Sequence, residues 1–100
     1  MDAKQIQEMM TRAQGMQQQL QQKMRETQVE ASSGGGAVVV RMNGEKQVTM
    51  VRIEKDAVSD VEMLQDLVMA AMNEAARKVD QAMQSSLGGM LGGLGGMLNL

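Results

Sequence analysis

Val38-Val39-Val40-Arg41-Met42-Asn43-Gly44-Glu45-Lys46-Gln47-Val48-Thr49-Met50-Val51-Arg52-Ile53 is the stretch on which the fold turns. It holds seven of the chain's fifteen β-branched residues, and Asn-Gly sits at its middle. Both residues tolerate φ > 0, which a type I′ turn requires at its two central positions, so Asn-Gly between apolar runs predicts a hairpin. With Asn43 and Gly44 as the turn pair, Met42 faces Glu45, Val40 faces Gln47 and Val38 faces Thr49. Val38, Val40, Met42, Val51 and Ile53 then share one face, with Val39, Arg41 and Val48 on the other. Both faces are partly apolar, a pattern expected of a sheet that packs on its own helices and also on a second copy.

Upstream of this stretch the periodicity changes. Asp2 to about Gln28 contains no Pro and is rich in Gln, Lys, Met, Leu and Glu, all good helix formers. Ile6, Met9, Ala13, Met16 and Leu20 keep a 3-4-3-4 spacing, the seam of a heptad pattern. Lys23 breaks the phase and Met24 resumes it four residues after Leu20, a stutter-like step. Gly15 weakens the middle by about 1 kcal/mol relative to Ala. One narrow stripe on so polar a helix predicts that its C-terminal half packs on the domain and its N-terminal half projects or pairs. The nine glutamines from Gln5 to Gln28 read as a solvated face. Gly34-Gly35-Gly36 ends the helical region with a reversal. It does not match a phosphate-binding loop, because no Gly-Lys-Ser/Thr follows and a strand comes next.

Downstream, Ser59-Asp60-Val61-Glu62 has the form of a capping box with Ser59 as N-cap. Leu64, Leu67, Val68, Ala71, Ala75, Val79 and Ala82 mark one face of a helix expected to run to about Ser85. Asn73 is the odd polar residue within it and is expected to hydrogen-bond a neighbouring backbone. Residues 85–100 form an irregular Gly-Gly-Met/Leu repeat with six of the eleven glycines, which predicts a flexible tail rather than helix.

Composition narrows the chemistry. One hundred residues make one domain, able to bury roughly 60–65% of its unfolded surface. Without Phe, Tyr or Trp, and with thirteen Met, the core is marginal and would gain from association with a second copy. The absence of Cys and His removes disulfides, Cys/His zinc sites and thiol or imidazole catalysis. Asp60, Glu62 and Asp66 are explained by the helix dipole, and no convergent polar cluster marks an enzyme. No cofactor, metal or small-molecule substrate is expected. The polar N-terminus lacks a signal peptide's apolar region and no run reaches transmembrane length, which predicts a cytoplasmic protein without a membrane partner. The net charge of −2, with acids in excess over residues 57–84, lacks the basic surplus common in nucleic-acid binders.

Together these features resemble the YbaB/EbfC family of nucleoid-associated proteins over roughly residues 3–84. The resemblance rests on the Gln/Met-rich first helix, Gly34-Gly35-Gly36-Ala37-Val38-Val39-Val40, Asn43-Gly44, Val51-Arg52-Ile53, and Leu64-Gln65-Asp66-Leu67-Val68-Met69-Ala70-Ala71-Met72-Asn73-Glu74-Ala75. It implies an α+β fold: one α-β-β-β-α domain over 1–84 with a three-stranded antiparallel sheet, a tweezer-like homodimer, and the 85–100 tail. It implies a non-enzymatic protein that binds duplex DNA through phosphate contacts from helical arms and acts in nucleoid organisation or gene regulation. The candidate DNA contacts are Lys4, Arg12, Lys23 and Arg25 on the first helix and Arg77 and Lys78 on the last. The candidate dimer interface is Val38, Val39, Val40, Val48, Val51 and Ile53. A protein-interaction scaffold working with replication or repair proteins is the alternative reading.

Overall fold

The computed structural model describes the backbone of residues 2–98 and the side chains of residues 2–86. Helix α1 spans Ala3–Glu26, strands β1, β2 and β3 span Gln28–Ser33, Val38–Asn43 and Val48–Ile53, and helix α2 spans Val61–Leu98. A short 3-10 helix, Lys55–Ser59, precedes α2. The strands form one antiparallel sheet in the order β1-β2-β3. Two long helices therefore flank a three-stranded antiparallel sheet, as the family resemblance implies; β1 occupies residues that the periodicity left at the end of the first helical region.

α1 opens where the Asp2 side chain accepts the Gln5 amide at 2.8 Å, satisfying a first-turn donor. It ends at Thr27, whose amide and hydroxyl both donate to the Lys23 carbonyl while its backbone turns extended. No residue of α1 is buried. Its seam residues Ile6, Met9, Met16 and Leu20 are 44–65% exposed, so the helix is an arm and not a core element. The molecule measures 68 × 32 × 16 Å, with a Cα radius of gyration of 19.9 Å against about 13 Å for a compact 100-residue domain. The elongated shape fits one half of a tweezer.

The β1–β2 reversal runs through Gly34, Gly35 and Gly36 at φ 61°, 68° and 96°, a left-handed run that side-chain-bearing residues resist. The β2–β3 connection departs from the expected two-residue turn. Asn43 closes a loop over residues 44–47, its amide donating to the Gln47 carbonyl at 3.0 Å. The residue at positive φ is Lys46 (62°), not Gly44. Asn43 is buried, and its Oδ1 accepts the Glu45 and Gln47 amides at 2.9 and 3.0 Å, building the loop from within. Gly44 is needed for close approach: its amide donates to Met24 O at 2.7 Å and Thr27 O at 3.1 Å. A Cβ there would lie 2.5 Å from the Met24 carbonyl oxygen. The hairpin tip is thus the socket for the end of α1.

The longer loop moves the register. Val38, Val40 and Met42 pair with Ile53, Val51 and Val48, in place of Thr49, Gln47 and Glu45. For Val38 and Val40 the shift is four residues, an even number, so Val51 and Ile53 keep the face predicted for them. An irregularity at Arg41/Met42 leaves Thr49 unmatched and brings Val48 opposite Met42, onto the face opposite to the one expected.

α2 begins one residue later than predicted. Ser59 closes the 3-10 turn, its hydroxyl donating to Asp56 O, and Asp60 is the cap, accepting the Met63 amide at 3.0 Å. The helix continues to Leu98, beyond the Ser85 boundary drawn from the glycines. Each further residue of an established helix adds a backbone hydrogen bond, and the interspersed Leu and Met are good helix formers. Asn99 and Leu100 of the predicted tail lie outside the described residues.

The core lies between α2 and the first two strands. Ala31, Val38, Val40 and Met42 pack against Ala71, Ala75 and Val79, with Val29, Leu64, Leu67, Val68, Ala76 and Met83 around them. The largest side chains buried completely are valines, Val38, Val40 and Val79, which makes this a thin core. Ser33 Oγ donates to Leu67 O at 2.6 Å and Lys78 Nζ to Glu30 O at 2.8 Å, tying α2 to β1. α2 packs on β1 and β2 and leaves β3 uncovered, so Val48, Val51 and Ile53 remain 38–48% exposed.

Candidate nucleic-acid interface

The six predicted basic contacts fall into three settings. Lys4 and Arg12 lie on one line of α1 with Glu8 between them, bordering a shallow groove with Gln7 and Thr11. Lys23 and Arg25 sit in the last turn of α1, where cations favour the helix dipole. Among the described residues Lys4, Arg12 and Lys23 have no ion-pair partner, whereas Arg25 Nε lies 3.7 Å from Glu45 Oε1. α1 thus presents cations on a helix that supports none of the core.

The two on α2 are engaged. Arg77 Nε donates to Glu74 Oε2 at 3.0 Å, one turn away. That hydrogen bond, more than the charges of Arg77 and Lys78, holds the Glu74 carboxyl below its ordinary range, against a desolvation that pushes it up. It also raises Arg77 above the usual guanidinium range. Arg77 is consequently the least available of the six. Lys78 reaches to the Glu30 carbonyl on β1 and lines a depression with sheet residues. The candidate contacts do not form one continuous patch. Two cations not singled out from the sequence, Arg41 and Arg52, are exposed on the sheet face turned away from α2. Their alternation with Val40 and Val51 was the available signal.

The predicted interface residues also divide. Val38 and Val40 are wholly buried under α2 and Val39 is 5% exposed within one chain, so these three have no free surface to offer a partner. Val48, Val51 and Ile53 do. α2 separately carries an apolar groove of about 500 Å³ lined by Val61, Leu64, Val68, Met69 and Met72. Asn73 lines this groove and is exposed; among the described residues its side chain makes no backbone hydrogen bond. No grouping of His, Cys, Asp and Glu able to hold a metal ion occurs among the described residues. No described helix is long and apolar enough to cross a membrane.

Fold and site together define an elongated α+β module with a cation-bearing helical arm, an apolar groove on α2 and an uncovered edge strand. The YbaB/EbfC DNA-binding family matches residues 2–94, and the chain belongs to it. A nucleoid-associated protein of Koribacter versatilis is 54% identical over 92 residues, covering 90% of this chain and 91% of the relative. One of Acidobacterium capsulatum is 49% identical over 96 residues, covering 89% of each. Among solved structures, an uncharacterized protein of Helicobacter pylori superposes with a TM-score of 0.75 at 27% identity, over 91% of this chain and 98% of that one. The family is described by DNA binding and not by a reaction.

Proposed function

We propose that the protein is a nucleoid-associated protein that binds duplex DNA as a homodimer, chiefly through phosphates, without catalysing a reaction. It works in nucleoid organisation or gene regulation at the bacterial chromosome, in the cytoplasm. The observation that carries this reading is α1: 24 residues, none buried, with Lys4, Arg12 and Lys23 unpaired among the described residues. An arm with no part in its own core is available to an external polyanion, and family membership supplies the class of partner. With so few cations the affinity is modest and falls with salt.

The dimer uses β3 and the N-terminal half of α2. Val48, Val51 and Ile53 on β3 and the groove on α2 are both apolar and accessible, and a two-fold arrangement of copies would let each copy's strand cover the other's groove, a self-complementary contact. The face of the sheet away from α2, which carries Glu30, Ser32, Arg41 and Arg52, is too polar for sheet-on-sheet packing.

Gel-shift titration across a salt series tests the function. The wild type is expected to shift long duplex DNA at ~50 mM salt, where phosphate contacts are strongest. Lys4→Gln with Arg12→Gln is expected to flatten the slope of log K against log[salt] by about 0.9 for each phosphate interaction removed. No complex with the wild type at low salt overturns the reading. The exposed seam Ile6, Met9, Met16 and Leu20 favours a second reading, a scaffold whose arm binds another protein of replication or repair. Capture of such a partner that survives nuclease treatment distinguishes it.

A further inference from the structure

We propose that the sheet face turned away from α2 is a second phosphodiester-binding surface, centred on Arg41 and Arg52 with Lys78 at its edge. The inference rests on the DNA-binding reading and adds a site outside the arms. Strand register builds it. Glu30, Arg41 and Met50 form one row across the sheet, and Ser32, Val39 and Arg52 form the next. Arg41 and Arg52 are diagonal neighbours on adjacent strands, about 7–8 Å apart, close enough to address one phosphodiester strand together. Lys78 reaches to β1, where its ammonium is held by the Glu30 carbonyl.

Between Arg52 and Lys78 is a shallow depression of about 310 Å³ lined by Glu30, Ser32, Gly36, Val39, Arg52 and Lys78, with Arg41 in the neighbouring row. Its donors are a guanidinium, an ammonium and an exposed hydroxyl, a set suited to phosphate oxygens. Arg52 has no carboxylate within ion-pairing distance among the described residues, although the chain is acidic overall. The one ion pair described on this face joins Glu30 to Arg41 Nε at 3.5 Å. Val39 is buried, so the surface a ligand meets is polar. A concave cationic surface focuses the field on an approaching polyanion, and the arginines' rigid forks bind phosphate bidentately.

The test is a salt series of duplex-DNA binding with the full chain, folding checked by circular dichroism at 222 nm. Arg52→Gln is expected to weaken binding roughly tenfold at 0.1 M salt and flatten the log–log slope by about 0.9; Arg41→Gln with Arg52→Gln doubles the change in slope. Arg52→Lys is expected to keep the slope, because the charge remains. Glu30→Gln is expected to strengthen binding, since it frees Arg41, an effect that a purely structural role would not produce. If the wild type binds DNA and the arm variants weaken it while Arg41 and Arg52 variants match wild type, the second surface is overturned and the arm reading stands. A wild type that binds no duplex DNA overturns both.

Discussion

At Gly44 a missing side chain holds two distant parts of the chain together. Its amide serves two carbonyls at the end of α1, and the nearest of them leaves no room for a Cβ. Gly44→Ala is therefore expected to lose about 1–3 kcal/mol, the cost of forcing atoms into a packed contact, measured by urea unfolding followed by circular dichroism. If stability is unchanged, α1 is not seated on the hairpin tip as described. Asn43 and Gly44 are legible in the sequence as a turn, but their division of labour is not. Turn propensity reports what a residue tolerates, and Met24 lies twenty positions away. Lys46, which takes the left-handed conformation, carries no local signal at all.

Among the elements, α2 carries the packing. Ala71 and Ala75 are fully buried and let the helix axis approach the valines of β2. Ala75→Leu would push helix and sheet apart by its added volume and is expected to cost about 1–3 kcal/mol, read as a lowered urea midpoint. A neutral result would mean that the helix slides to accommodate it. The apolar face of α2 is visible in its 3.6-residue period, and so is the presence of a cap near Ser59. Which residue caps is decided by the 3-10 turn that consumes Ser59 and passes the task to Asp60. The extension to Leu98 was masked by six glycines, whose penalty is a local propensity.

Taken entire, the molecule has too little core for its length. The thin valine-alanine layer and the uncovered β3 lead to the second copy proposed above. Val51→Asp is expected to convert the dimer into a monomer in light scattering with refractive-index detection, the helical signal being retained. A wild type that is itself monomeric, or a Val51→Asp protein of unchanged mass, would remove that interface. Dimer loss should also weaken DNA binding, because two tethered sets of arms act at high effective concentration.

The two helices, the hairpin strands and most of their apolar positions could be read from the residues, whereas β1 was available only through the three-stranded sheet that the family resemblance implies. The former rest on composition and on interactions three, four or two positions apart. The strand register, the socket at Gly44, the exposure of Val48, Val51 and Ile53, and the gathering of Arg41, Arg52 and Lys78 on one surface were decided by tertiary structure. Each depends on residues far apart in the chain being brought together by burial of the core; strand alternation assigns Arg41 and Arg52 to a face, but not the register or the Lys78 reach that set them beside each other.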